Sequence, residues 1–135
     1  MNATFRIDLP NGTSLTEEQL RKNIKAARET IAKLREVEGS IAIENPKTKE
    51  ATYVGDTLKV VISAFCLKGL KEFQKEGKYQ VDFFNHDETV NLVADKNKVI
   101  ISGTQIVTCS YPAAPYFKAM ADCGKRYTEF MKKIG

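Results

Sequence analysis

Between Lys78 and Gly103 the chain reads KYQVDFFNHDETVNLVADKNKVIISG. Apolar residues take every second position in three short runs: Tyr79, Val81 and Phe83; Val90, Leu92 and Ala94; Val99 and Ile101. A period of two puts each set on one face of an extended chain. The runs are separated by Asn85-His86-Asp87-Glu88 and Asp95-Lys96-Asn97-Lys98, both rich in turn formers. This pattern predicts an antiparallel meander with one apolar face. That face needs a cover, and amphipathic segments on either side can supply it. The predicted class is therefore α+β: an antiparallel sheet covered by three helices, in a single domain over residues 1–135.

The first helix is expected to start at Thr16. Gln19 completes a capping box with it, and Leu15 with Leu20 fits a hydrophobic staple. Leu20, Ile24, Ala27, Ile31 and Leu34 form one stripe, and Gly39 reads as the stop. The stripe suits a helix laid on its own sheet better than a seam between subunits. Ahead of it, Phe5, Ile7 and Leu9 alternate in a strand expected at an edge and ending at Pro10-Asn11-Gly12. Ser40 to Glu44 and Ala51 to Val54 read as two paired strands. Thr57 to Glu76 reads as one long helix, with Gly77 ending it. Val60-Val61-Ile62 keeps a strand up to about Phe65 open as a rival. Thr104 to Ser110 is expected to add a fourth strand to the meander. The last helix runs to about Lys133, with Tyr116, Met120, Cys123, Tyr127, Phe130 and Ile134 along one face.

Chemistry is sparse in this sequence. The one histidine, His86, sits in a predicted turn, where neighbouring carboxylates splay apart. No second histidine or spaced cysteine supports a metal. Cys66 and Cys123 fall on apolar helix faces, as core thiols do. There is no Gly-rich phosphate loop, no H-E-x-x-H and no G-x-S-x-G. We expect no enzymatic activity, no metal and no cofactor. Three cysteines, odd in number and widely spaced, fit reduced thiols in the cytoplasm. No apolar run is long enough to span a bilayer, so no membrane partner is expected. The net charge is +4, but acidic residues are mixed into every helix, which argues against a nucleic-acid partner. The stretch 79–111 alone is negative. The outward face of the meander carries Gln80, Asp82, Phe84, Thr89, Asn91, Val93, Ile100 and Ser102. Apolar anchors among acids and amides suit a protein partner. The expected partner-binding residues are Asp82, Phe84, Asn85, His86, Asp87, Glu88, Asn91 and Asp95.

The segments YQVDFFNHDETVNL, VIISG and YFKAMADCGKRYTEFM together resemble the C-terminal half of small immunity proteins of bacterial toxin–immunity systems. The resemblance implies a cytoplasmic α+β domain, monomer or homodimer, that binds and neutralises one cognate toxin. The alternative is a small dimeric secretion chaperone binding an effector protein, whose helix–strands–helix–strands–helix order is similar.

Overall fold

The computed structural model describes residues 1–135. The α+β class holds, but the strands form two antiparallel sheets of four, not one. The first sheet is built from β1 (Asn2–Asp8), β2 (Ser14–Thr16), β3 (Glu38–Glu44) and β4 (Ala51–Thr57), in the order β2-β1-β3-β4. The second takes β5 (Lys78–Phe83), β6 (Glu88–Asp95), β7 (Lys98–Gly103) and β8 (Cys109–Pro112), in sequence order. Five helices complete the chain: α1 (Glu17–Lys22), α2 (Ile24–Ala32), α3 (Leu58–Cys66), α4 (Lys68–Glu76) and α5 (Ala113–Ile134).

The meander forms as its alternation predicts. Tyr79 pairs with Leu92, Val81 with Val90 and Leu92 with Ile101. Val90, Leu92, Val99 and Ile101 are buried, and α5 packs against β7 and β8. Asp87 and Lys96, one in each connecting turn, take the left-handed conformation. Asp87, with a short polar side chain, tolerates it readily, whereas Lys96 has no such advantage. The fourth strand starts later than expected, at Cys109.

Other expectations need correction. β1 is not an edge strand; β2 and β3 flank it. The capping box at Thr16 and Gln19 is present, but the helix it opens stops after six residues. Asn23 interrupts it with φ −140° and accepts from the Ala26 N–H, so it caps a second helix instead. Gly39 ends no helix. It lies within β3, so close to the Arg6 carbonyl of β1 that any Cβ would clash. The long segment after Thr57 is helical, but Leu67 divides it into α3 and α4. Gly69 then packs directly on the Ala64 backbone, which only a residue without a side chain permits. Gly77 ends α4 in the left-handed conformation, as expected.

One core of 28 residues joins both sheets to the helices. Two polar ties lock its layers. Arg126 of α5 donates to Glu17 at 2.7 Å and to the Ala3 carbonyl of β1. Arg28 of α2 donates to the Lys133 and Ile134 carbonyls at the C-terminal end of α5. The two sheets meet at their edges: the Tyr111 hydroxyl of β8 donates to Thr52 of β4 at 2.9 Å. No helix is long and apolar enough to cross a membrane.

Candidate functional site

The β5–β6 turn, Phe84 to Asp87, is the most distinctive feature of the surface. Phe83 and Phe84 are adjacent, and the strand period sends them opposite ways. Phe83 is buried at 2% exposure, its ring stacked on Phe65 at 6.3 Å. Phe84 is 92% exposed. A large apolar side chain so fully in water stands out when its neighbours are polar.

The turn is held rigidly by residues far away in sequence. The Asn85 backbone N–H donates to Asp56 at 3.0 Å. Its side-chain amide donates to Glu38 and to Thr57, both at 2.9 Å. Thr57 in turn donates to Glu36 at 2.6 Å. On the other side, Gln105 donates to the carbonyls of His86 and Asp87. The turn of the second sheet is thus fastened to the ends of β3 and β4 of the first.

Charge gathers at the same place. His86 Nε2 lies 3.8 Å from a Glu38 carboxylate oxygen. A cavity of about 400 Å³ opens beside them, lined by Asp8, Glu36, Glu38, Asn85 and His86 with Leu9, Pro10 and Leu34. Burial, then the charges of Glu36 and Asp56, raise the Glu38 carboxyl above its ordinary range; His86 and Asn85 pull it partly back. The Glu38 side of the turn is therefore locally acidic, although the chain is basic as a whole.

The eight expected binding residues do not form one patch. Phe84, Asn85, His86 and Asp87 share the turn and are exposed. Asp82 is exposed just before it and accepts from Thr89 at 2.8 Å. Asn91 lies further along the outer face of β6, half-buried, with no element laid over that face; Val93 beside it is 45% exposed. Asp95 is at the far end of β6, roughly 24 Å from the turn at about 3.4 Å per residue, among Lys96 and Lys98. Glu88 is a correction. It is only 6% exposed, on the inner face with Val90 and Leu92, where it accepts from Thr104. One of its oxygens has no partner. It is a buried group behind the turn and not a tip charge.

Glu36, Glu38, Asp56, Thr57 and Gln105 were not anticipated. They hold the turn from 18 to 47 residues away where they bond it directly, and no local pattern announces them. Cys66 and Cys123 are buried, and the Cys66 thiol is pushed well up by its contact with Cys123 and then by burial. A thiol so held is a poor nucleophile. No group of three or more His, Cys, Asp or Glu side chains is placed to hold a metal ion. No family model, curated protein or solved structure matches the chain.

Proposed function

We propose that this chain is an immunity protein that binds one cognate bacterial toxin domain and neutralises it by occlusion, acting by binding and not by catalysis. One observation carries the reading: Phe84, 92% exposed, stands on a turn pinned by hydrogen bonds from the first sheet and from Gln105 of the β7–β8 loop. Interface hot spots are commonly aromatic anchors that enter a partner's pocket. An anchor already fixed in place loses less conformational freedom on docking. Asp82, Asp87, Glu36 and Glu38 bring negative charge to its turn, which suits a toxin presenting a basic patch. The site of action is the cytoplasm, where the three free thiols stay reduced.

The test is growth rescue. The chain is co-expressed with each candidate toxin domain found among the open reading frames adjacent to its gene, as wild type, as Phe84→Ala, as Asp87→Lys, and as Lys125→Glu/Lys132→Glu on the exposed face of α5. Wild type and the lysine variant are expected to protect. Phe84→Ala should lose protection through faster dissociation, costing about 2 kcal/mol or more. Asp87→Lys should slow association, most at low salt. Protection lost only in the lysine variant would move the site to α5.

A further inference from the structure

We propose that β5 is a pairing edge for a second copy of this chain, joining two second sheets into one continuous sheet. The two sheets have four edge strands, and three are short or occupied. β2 has three residues, and β8 has four and ends in Pro112. β4 is faced by β8 and by the Phe84–Asp87 turn through the bonds to Thr52, Asp56 and Thr57. β5 is left: six residues, without proline or glycine, and nothing paired to its outer side. A strand edge in that state is a template for another strand.

The direction of its free groups follows from one bond. The Ala94 N–H donates to the Gly77 carbonyl at 2.8 Å. Gly77 therefore points its backbone toward β6. Alternation along an antiparallel ladder makes Tyr79, Val81 and Phe83 do the same. Lys78, Gln80 and Asp82 direct their N–H and C=O groups outward, where no hydrogen bond receives them.

Those three residues also specify the occupant. The segment Lys78-Tyr79-Gln80-Val81-Asp82 is self-complementary when it runs antiparallel to a copy of itself, centred on Gln80. Lys78 of each copy meets Asp82 of the other, and Gln80 meets Gln80. Each such pair exchanges two backbone bonds, about six in all. On the core side, Tyr79 of each copy meets Val81 of the other, an aromatic–β-branched pair of the kind that stabilises sheets. Both are only half-buried, whereas their β6 neighbours Leu92 and Val90 are fully buried. A second copy covers what one copy leaves open. The two-fold axis is perpendicular to the sheet, so the helices of both copies stay on one side. The two Phe84 turns end at opposite ends of the joined strands, roughly 27 Å apart at about 3.4 Å per residue, and both remain free.

The experiment is sedimentation equilibrium from about 1 µM to 500 µM. Wild type is expected to dimerise within this range. Lys78→Glu and Asp82→Lys, both at exposed positions, each place like charges opposite one another twice and should weaken the dimer about tenfold or more. The double variant Lys78→Glu/Asp82→Lys restores complementarity and should restore the dimer. Glu72 and Glu76 of α4 wall the same edge and come to one side of the joined sheet in both copies. Glu72→Gln with Glu76→Gln is therefore expected to tighten it. A wild type that stays monomeric at 500 µM overturns the proposal. So do single reversals without effect, a double variant that does not recover, or glutamine variants that loosen the dimer. Asp82 belongs both to this edge and to the charge beside Phe84, so Lys78→Glu, which leaves Asp82 and Phe84 in place, is the variant that separates dimerisation from toxin neutralisation.

Discussion

Phe83 and Phe84 are neighbours in the chain and opposites in the structure, so truncating each one is a test of the assignment of faces. Phe83 is 2% exposed and lies against Phe65. Burying such a ring contributes about 1.5–3 kcal/mol by transfer alone. The cavity left by Phe83→Ala takes the expected total to about 3–5 kcal/mol. Phe84 is 92% exposed, so Phe84→Ala removes a ring that folding never took out of water. A surface change of that kind stays within about 0.5 kcal/mol. Urea denaturation followed by circular dichroism measures both. With a slope of about 2 kcal/mol per molar, Phe83→Ala moves the midpoint down by about 2 M and Phe84→Ala by less than about 0.25 M. Equal losses, or a Phe83→Ala loss under about 1 kcal/mol, would mean that the faces of β5 are reversed. The reasoning about the turn would fall with them.

Arg126→Met is expected to cost about 1–3 kcal/mol in the same assay, because it leaves the buried Glu17 carboxylate with Arg21 alone, at 3.2 Å, and the Ala3 carbonyl without its donor; Glu17→Leu/Arg126→Met should recover most of that loss. Gly124→Ala should lower the melting temperature despite the better helix propensity of alanine, since its Cβ would stand 2.8 Å from the Cys66 carbonyl and 2.9 Å from Leu67. Burial pushes the Tyr111 phenol up to about 12, so the unfolded chain ionises this tyrosine first. Stability is then present below about pH 10 and is lost between about 10 and 12, and urea midpoints of Tyr111→Phe should fall less steeply across that window. Asn85→Ala should raise amide exchange across residues 84–87, because it removes the side-chain bonds to Glu38 and Thr57; unchanged exchange would show that the turn is not held by them.

The features legible in the sequence were those with a local cause. The capping box needs only Thr16 and Gln19, and the meander register needs only a period of two. Glu88 was legible by the same rule: it stands two residues before Val90, and so on the inner face, although its charge suggested the surface. The split at Asn23 had a signal too, since asparagine caps helices readily, but an uninterrupted apolar stripe outweighed it. The break at Leu67 had none. It depends on Gly69 meeting the Ala64 backbone, a contact visible only once α4 has folded back. The division into two sheets was equally hidden, because each strand pair satisfies a local pattern while the gap between β4 and β8 is bridged by side chains. The candidate site divided in the same way. Phe84 and its turn could be read directly; the groups that hold them could not.

On the proposed reading, the sign of the overall charge is a poor guide to the partner. With a pI near 8.9, the chain would by that measure alone be expected to favour an acidic ligand. Yet screening confines charge–charge effects to about 8 Å at physiological ionic strength, so a docking partner responds to the nearest patch and not to the total. Around the turn the acids are Asp82 and Asp87 on either side in sequence, Asp56 and Glu38 bonded to Asn85, and Glu36 bonded to Thr57. Arg35 and Lys59 lie close to this patch in sequence; other lysines lie elsewhere, among them Lys96 and Lys98 at the far turn and Lys125 and Lys132 on α5. Lys118, which would be the third on that helix, is paired with Asp122 at 2.9 Å and contributes less free charge. The raised Glu38 carboxyl fits the same picture, because like charges crowd there against a partly desolvated wall. A basic group from a partner would relieve that crowding. An acidic one would add to it. On the proposed reading, the local field around the turn favours a basic partner surface even though the whole chain is positive.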